Sequence, residues 1–520
     1  MRKMLLWPVP AIAAVAIGTV FALPPAVAAA EPPDPGSPTA SPIVWGDCPA
    51  PAAGLEVDPR QTCGTLAVPL DYRHPHGRQI TLAVSRIKAG HAAARRGVLL
   101  VNPGGPGGEG LNWAGEIARR ASPSVSAAYD IIGFDPRGVG HSHPVSCGLT
   151  ADELVPPIAY PAADGSIDQN VAYARSAARR CAAHSGDVLK YVTTANTARD
   201  MDRVRQALGE PRISYLGSSY GTYLGAVYAS LFPHRTDRFV LDSAVDPGRV
   251  WYDQFRLQSK GVAIRFPDAA RAAADHADEL GLGRTPEAVT RTYLALAARL
   301  DGHPVTVPGR SIMLSGKMFR FITSAFLTQD EAIEPLTQAW RATADLSDGR
   351  ADDTEIDLLQ QVLDALDPRF GTSPGVPADN TRAAAYAVAC DDANWPRSVS
   401  TYAANVAADR AAYPLSAGGP ANLWPCAFWP TTPVEPPVEI TDRGRRNLLI
   451  LQNERDPGTP LESGQALHRA LGRRSAMVTV DAGGHVVYGT PGADACATEA
   501  ADAFLAHGRM PSRDVHCPAS

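Results

Sequence analysis

The stretch Gly217-Ser218-Ser219-Tyr220-Gly221 decides the fold of this chain, because it separates an apolar run from a run of small residues. The run before it, Ile213-Ser214-Tyr215-Leu216, predicts a strand, and residues 222–231 predict a helix. A Gly-x-Ser-x-Gly pentapeptide in this setting is typical of a sharp turn that exposes its central serine. In a chain with 45 glycines the pentapeptide alone is a weak signal, so its position after a strand carries the prediction that Ser219 is a nucleophile.

A glycine-rich loop is predicted upstream of this turn. Residues 97–101 form an apolar run, and residues 102–110 continue as Asn-Pro-Gly-Gly-Pro-Gly-Gly-Glu-Gly. A flexible linker is the plainer interpretation, but a linker would not directly follow a buried strand. Backbone N–H groups of such a loop can approach a substrate oxygen closely. We therefore predict an oxyanion hole formed by the N–H of Tyr220 together with that of Gly104 or Gly105.

An acidic residue follows another clear strand downstream. Asn447-Leu448-Leu449-Ile450-Leu451-Gln452 predicts a core strand, and Asp456 lies on the loop after it, with Glu454 as a nearby competitor. An acid on such a loop can reach the same edge of the sheet as a serine placed after a neighbouring strand. We therefore predict that Asp456 orients the catalytic base.

The base is predicted on the loop after the next strand. Residues 461–471 predict a helix, residues 476–480 predict a strand, and Asp-Ala-Gly-Gly-His at residues 481–485 ends in His485. Most of the 13 histidines of a chain like this are surface or core residues, so the order Ser, Asp, His and the strand–loop setting select His485. Three other histidines lack that setting: His141, His143 and His468.

The segment Asp-Pro-Arg-Gly-Val-Gly-His-Ser at residues 135–142 predicts a structural turn. An ion pair of Asp135 and Arg137 buried there would brace the glycine loop, whose residues have no side chains to fix them.

Five segments in this order resemble one family: residues 102–110, 135–142, 217–221, 456–460 and 484–485. The family is that of the secreted tripeptidyl aminopeptidases of actinobacteria, which are α/β-hydrolases related to proline iminopeptidases. The resemblance extends from about Trp45 to the C-terminus. It implies an α/β-hydrolase fold, with a mostly parallel sheet flanked by helices and a large, mainly helical inserted cap. It also implies that Ser219, Asp456 and His485 act together beside the glycine loop.

The length of the chain agrees with an insertion. Without a leader it has about 490 residues, well above the about 200 to 250 of a single α/β unit. Helical spacing in residues 268–280, 286–300 and 352–366 places the extra residues in a helical cap that roofs the active site. The predicted organisation is a signal peptide at 1–30, a flexible Pro/Ser/Ala-rich segment at 31–44, a hydrolase core at 45–247 and 441–520, and a helical cap at 248–440.

An exopeptidase must also recognise the free α-ammonium of its substrate, which requires a carboxylate at a fixed distance from the nucleophile. The candidates are Glu109, Asp391 and Asp392, with Asp246 less favoured. The family usually has a small hydroxyl residue where this chain has Gly108-Glu109-Gly110, so the resemblance implies a carboxylate close to the reaction centre. Six aromatic residues are candidates for lining a pocket, although a core role is the plainer interpretation for most of them: Trp251, Tyr252, Trp395, Trp424, Phe428 and Trp429.

The N-terminus predicts export. Arg2 and Lys3 precede an apolar stretch at residues 4–23, and Ala-Val-Ala-Ala-Ala at residues 26–30 offers small residues for cleavage. A retained membrane anchor is the alternative, but prolines interrupt the apolar stretch. We therefore predict a secreted protein with no stable membrane association after cleavage.

All eight cysteines follow this leader, as expected of a protein in an oxidising compartment. Among many connectivities we favour the pairing of sequence neighbours: Cys48–Cys63, Cys147–Cys181, Cys390–Cys426 and Cys496–Cys517. No Cys-x-x-Cys motif or Cys/His cluster is present in the sequence, so no metal or other cofactor is predicted. The net charge of −6 and the lack of long basic runs argue against nucleic acid as a partner.

The chemistry predicted is two-step acyl transfer, with Ser219 as nucleophile, His485 as general base and Asp456 as its orienter. By resemblance the substrate is the free N-terminus of a peptide or protein, from which short peptides, in this family tripeptides, are released. Two alternatives use the same residues differently. One is an esterase or amidase that acts on small acyl compounds, and the other is a secreted binding protein with an inactive hydrolase fold.

Overall fold

The computed structural model describes residues 42–154, 159–310, 312–366 and 372–519. The predicted signal peptide at 1–30 and most of the flexible segment at 31–44 lie outside the described residues.

A ten-stranded sheet organises the described residues, and a two-stranded ribbon stands apart from it. The sheet strands are β1 (Val44–Gly46), β2 (Thr62–Pro69), β3 (Gln79–Ile87), β4 (Gly97–Asn102), β5 (Tyr129–Phe134), β6 (Ile213–Ser218), β7 (Thr236–Asp242), β10 (Leu448–Arg455), β11 (Ser475–Gly483) and β12 (Val515–Cys517). The ribbon pairs β8 (Val305–Thr306) with β9 (Met313–Leu314).

The order of the strands creates a reversal beside β4. Across the sheet the order is β1-β2-β3-β5-β4-β6-β7-β10-β11-β12, antiparallel up to β5 and parallel from β5 onward. The chain moves outward from β4 to β5 and returns to β6 on the other side of β4. Ligands of α/β sheets bind outside the carboxyl ends of the strands at such a reversal. The glycine loop follows β4 and the Ser219 turn follows β6, so both lie at this point.

The central strands are apolar because helices cover both faces of the sheet. β4 reads Gly-Val-Leu-Leu-Val-Asn and β6 reads Ile-Ser-Tyr-Leu-Gly-Ser, and every residue of both strands is buried. Their ends are in register: Asn102 pairs with Gly217, and Ser218 pairs with Asp242 of β7. The mostly parallel sheet expected from the sequence is therefore confirmed.

The described helices are α1 (Trp113–Arg120), α2 (Pro123–Ala128), α3 (Ala151–Leu154), α4 (Asp168–Leu189), α5 (Thr194–Ala207), α6 (Tyr220–Leu231), α7 (Tyr252–Asp275), α8 (Ala277–Leu280), α9 (Pro286–Gly302), α10 (Gly316–Phe326), α11 (Ile333–Ser347), α12 (Asp353–Ala365), α13 (Asn380–Asp392), α14 (Val399–Ala412), α15 (Leu461–Leu471) and α16 (Ala495–His507). Among the residues described here, no helix combines the length and apolarity that a bilayer crossing requires.

The segment between β7 and β10 contains two packing units. Helices α7–α12, which we call the helical insertion, enclose their own hydrophobic cluster of residues between Val262 and Leu363. α13 instead buries Ala383, Ala387 and their neighbours in the same cluster as the sheet. The bounds predicted for the cap, 248–440, therefore include a helix that packs as part of the sheet layer.

Four disulfides join Cys48 to Cys63, Cys147 to Cys181, Cys390 to Cys426 and Cys496 to Cys517. The predicted pairing of sequence neighbours is confirmed. Cys390 lies on α13 and Cys426 precedes the loop to β10, so the third disulfide fastens α13 to the chain that returns to the sheet.

Candidate active site

The turn that carries Ser219 holds a backbone conformation that side chains rarely adopt. Ser219 has φ 57° and ψ −122°, and its N–H donates to the carbonyl oxygen of Asp242 at 2.9 Å. Such a conformation costs free energy and persists where the surrounding structure enforces it. At Gly217 an added Cβ would lie 2.6 Å from the carbonyl oxygen of Gly221, so strand and helix touch there as the pentapeptide predicts.

His485, which is partly exposed, pairs with the buried Asp456. Nδ1 of His485 lies 3.0 Å from both carboxylate oxygens of Asp456, a residue with no exposed surface. Oδ1 of Asp456 also accepts the N–H groups of Gly458 and Thr459, at 2.8 and 2.9 Å. Its Oδ2 accepts the Thr459 hydroxyl at 3.0 Å and the Gln452 amide at 3.3 Å. Four donors besides the histidine therefore fix the position of this carboxylate.

Residues at the end of β7 also anchor the loop that carries His485. Asp242 accepts the N–H groups of Val487, at 2.9 and 3.1 Å, and of Tyr488, at 2.7 Å. The hydroxyl of Ser243 accepts the N–H of Val486 at 2.8 Å. Asp242 is the last residue of β7, which pairs with β6, and Ser243 follows it. The placement rule that selected Asp456 could therefore have identified both residues from the sequence.

The helical insertion holds the same loop from above. The N–H of His485 donates to the carbonyl oxygen of Thr328, between α10 and α11, at 2.6 Å. Gly483 faces the guanidinium of Arg265, which leaves no room for a side chain there. His485 is thus held at its ring by Asp456 and at its backbone by the helical insertion.

The charges around His485 set its protonation. Burial by itself lowers the pKa of His485, but the negative charges of Asp456 and Asp242 and the hydrogen bond to Asp456 outweigh it, so the pKa lies above its ordinary value. Burial raises the pKa of Asp242 to about 7, although the N–H groups of Tyr488 and Val487 oppose that rise.

The hydroxyl of Ser219 donates to no side chain among the residues described, His485 included. Hydrogen bonds between nucleophile and base are often long or absent before substrate binds.

The two glycines considered for the oxyanion hole differ. The N–H of Gly104 donates to the side-chain oxygen of Asn102 at 3.0 Å, so it is already engaged. Within the described part of the chain, the N–H of Gly105 has no acceptor, and neither has that of Tyr220 at the start of α6. The geometry therefore favours Gly105 over Gly104 as the partner of Tyr220. Gly104 is instead a contact position, because an added Cβ would lie 3.0 Å from Cβ of Ser219.

The predicted Asp135–Arg137 ion pair is wrong, although Asp135 does brace the glycine loop. Asp135 accepts the N–H groups of Gly110 at 2.8 Å and Leu111 at 3.1 Å. Arg137 instead makes a bidentate, fully buried pair with Asp200 of α5, at 2.6 and 2.7 Å. The partner of Arg137 lies 63 residues away, which a local pattern does not reveal. Glu454, the competitor of Asp456, pairs with His516 instead.

The three candidate amine anchors lie in different surroundings. Asp391 accepts the Trp429 indole and Thr431 hydroxyl, at 2.8 and 2.6 Å. Asp392 accepts the backbone N–H and hydroxyl of Thr194 and the Trp251 indole. Burial raises the pKa of Asp391 to about 6 and that of Asp392 to about 7. These contacts give both acids a structural role.

Glu109, by contrast, lines a large cavity. The cavity has a volume of about 720 Å³ and begins beside Pro106 and Gly108 of the glycine loop. Its volume is within the range of small-molecule sites. The Glu109 carboxylate accepts the N–H and hydroxyl of Ser373, which leaves lone pairs for a ligand. Of the six aromatic candidates, Trp424 is the one that lines this cavity within the described chain, and its ring stacks on Phe255 at 4.4 Å.

A strained serine turn at the reversal of a mostly parallel sheet, with a histidine–aspartate pair on the loops after two further strands of that sheet, is typical of the α/β-hydrolases. A family model described as alpha/beta hydrolase fold matches residues 97–302, and one described as TAP-like protein matches residues 416–517. The chain belongs to the tripeptidyl aminopeptidase family: it is 37% identical over 493 residues to the tripeptidyl aminopeptidase of Streptomyces lividans, covering 91% of this chain and 86% of that protein.

Other relatives have different names. The chain is 30% identical over 545 residues to serine protease Hip1 of Mycobacterium tuberculosis, covering 99% of this chain and 98% of that protein. It is 31% identical over 516 residues to carboxylesterase B of the same organism, covering 96% of this chain and 95% of that protein. The family therefore includes proteins named for peptide and for ester hydrolysis.

Proposed function

We propose that the protein is a secreted serine exopeptidase that releases short peptides, of three residues, from free N-termini of peptides or proteins. The observation that carries the proposal is Glu109, a carboxylate on the wall of a cavity that begins at the glycine loop beside Ser219. A carboxylate in that place can hold the α-ammonium of a peptide whose carbonyl group lies at the serine.

The proposed chemistry follows from the contacts around the serine. His485 takes the proton of Ser219 as the hydroxyl oxygen attacks the peptide carbonyl carbon. The N–H groups of Tyr220 and Gly105 hold the oxyanion, and each such donor contributes about 3 kcal/mol in comparable enzymes. His485 then protonates the leaving amine, and water attacks the acyl-enzyme with His485 again as the base. Asp456 keeps Nδ1 of the imidazole protonated and stabilises the imidazolium.

The helical insertion supports an exopeptidase because it lies over the loop of the base, through the contact of His485 with Thr328. We assign it the role of a cap that limits access to chain ends. Export through the N-terminal leader is part of the same proposal. The four disulfides support it, because disulfides persist in oxidising compartments.

An esterase or amidase acting on small acyl compounds is the second candidate, and the 31% identity to a carboxylesterase favours keeping it. It would use the same serine, histidine and aspartate, but it would not need the charge of Glu109.

Assays with the purified mature protein distinguish the exopeptidase from the esterase or amidase. Chromogenic peptides of one to four residues, each with a free and an acetylated N-terminus, are compared with simple esters, and Ser219→Ala serves as the inactive control. We expect turnover to peak at three residues and to be lost on acetylation. Glu109→Gln should raise KM for free peptides, whereas Glu116→Gln, which removes a carboxylate on α1 paired with Arg119, should not. Equal turnover of free and acetylated peptides would instead establish the esterase or amidase.

A further inference from the structure

The cavity beside the glycine loop contains a second charged group, of opposite sign to Glu109. Among the described residues that line it, Glu109 and Arg382 are the two that carry charge. No ion pair joins them, and Arg382 has no carboxylate partner among the described residues. Its guanidinium donates a long hydrogen bond, from Nη2 to the carbonyl oxygen of Leu154 at 3.5 Å, and also interacts with the hydroxyl of Tyr386.

Among the residues that the structure describes, the titratable groups that interact with Arg382 are neutral. They are the hydroxyls of Tyr173 and Tyr386, which lie 3.2 Å from each other. Arg382 is half-buried and has no carboxylate partner within the described ranges, so this position favours an anionic ligand. The planar fork of arginine is matched to a carboxylate, which can accept two parallel N–H bonds.

The place of Arg382 in the fold connects it to the reaction centre. It follows Thr381 on α13, and an added Cβ at Gly107 of the glycine loop would lie 2.4 Å from the Thr381 carbonyl oxygen. The loop that holds the oxyanion therefore contacts α13 one residue before Arg382. A ligand in this cavity meets Glu109 and Arg382 on its walls, next to Pro106 and Gly108 of the glycine loop.

We propose that Arg382 is a specificity-determining residue that binds an acidic side chain, aspartate or glutamate, within the three N-terminal residues of the substrate. The inference rests on the proposed exopeptidase function, since Glu109 would hold the α-ammonium of the same peptide. A peptide of this kind carries a positive and a negative charge, opposite in sign to Glu109 and Arg382 respectively.

The test measures binding, so that it does not depend on turnover. Ala-Ala-Ala-p-nitroanilide and its variants with Glu or Gln at each of the three positions are titrated into the Ser219→Ala protein by calorimetry. At one position we expect Glu to bind about tenfold more tightly than Gln, a difference typical of a charge-assisted hydrogen bond. Adding Arg382→Gln should abolish this difference, and Arg382→Lys should keep part of it.

Arg175→Gln is the matched control, because Arg175 lies over the Phe428 ring and does not line the cavity. It should leave the preference for Glu unchanged. Equal binding of the Glu and Gln peptides at all three positions overturns the inference, as does a preference that survives Arg382→Gln. If the protein with Ser219 intact cleaves no neutral Ala peptide, the exopeptidase function fails, while the Glu-to-Gln binding ratio still decides the role of Arg382. If the Arg382→Gln variant does not fold, the Glu-to-Gln binding ratio of the Ser219→Ala protein and its change in Arg382→Lys decide whether Arg382 binds the acidic side chain.

Discussion

Asp242 accepts a 2.7 Å hydrogen bond from the Tyr488 backbone N–H, and this bond helps to fix the loop that carries His485. Two buried carboxylates thus act on one imidazole. Asp456 contacts the ring, and Asp242 reaches it through the backbone and through its charge.

Asp242→Asn should shift the acid limb of the activity profile to lower pH. The base must be unprotonated to act, so kcat/KM falls as pH falls through the pKa of His485, which lies above its ordinary value. Removal of the Asp242 charge lowers that pKa, and the limb moves with it. Ser243→Ala removes a hydrogen bond to Val486 of the same loop without changing charge, so it should lower activity without moving the limb. Identical pH profiles for the two variants would leave Asp242 a purely structural residue.

Thr459→Val should reduce kcat by about fivefold. The substitution removes the hydroxyl bond to Oδ2 of Asp456 and keeps the backbone bond to Oδ1, and one such hydrogen bond contributes about 1 kcal/mol. Thr459→Ser retains the hydroxyl and should retain activity. Steady-state kinetics on one peptide substrate distinguish the variants, and an equal loss in both would assign the effect to packing of the methyl group.

Gly104→Ala should reduce kcat/KM by about 100-fold or more, the scale of losing an oxyanion donor. Gly104 has φ 99°, and an added Cβ would lie 2.5 Å from the Ser218 carbonyl oxygen, so the loop must move away from the serine. Gly209→Ala is the control, because it also has a positive φ, 72°, but meets no atom within 4 Å. It should lower thermal stability and spare kcat. Comparable kcat losses in both variants would contradict the role given to the loop.

The free energy of unfolding should decrease as pH rises from about 4 to 7. Burial raises the folded-state pKa of Asp135, Asp242 and Asp392 to about 7, above the ordinary value of 3.8, so the folded protein binds protons that the unfolded chain has released. Each group contributes a slope of about 1.4 kcal/mol per pH unit within that window.

Asp392→Asn should reduce this slope, as measured by denaturant unfolding at several pH values. Asp391→Asn is the comparison, because the pKa of Asp391 is raised to about 6 and its contribution should end about one pH unit earlier. A slope that neither variant changes would show that these carboxyls ionise together with local opening of the fold.

Local sequence patterns predicted the elements that carry the reaction. The helix expected at residues 461–471 is α15 (Leu461–Leu471), and the strand before the serine is β6 (Ile213–Ser218). Their apolar periodicity and glycines are properties of neighbouring residues, which a sequence displays directly.

What the sequence did not predict depends on residues far apart in the chain. Arg137 forms an ion pair with Asp200, and Asp242 accepts a hydrogen bond from the Tyr488 N–H. Helix α13 packs on the sheet although it follows the helical insertion in sequence. Long-range pairings of this kind follow from the fold as a whole and have no local signature.

The hydrogen bond from the His485 N–H to the Thr328 carbonyl oxygen means that the helical insertion also holds the backbone of His485 in place. A cap that only covers a pocket can move away without changing the positions of the residues beneath it. If the insertion is the cap proposed above, a displacement of residue 328 that admits a long chain would also break the hydrogen bond that fixes the backbone of His485. Substrate entry and bond cleavage would then occur in sequence. A protein segment too bulky to let the insertion return to its position would be bound but not cleaved.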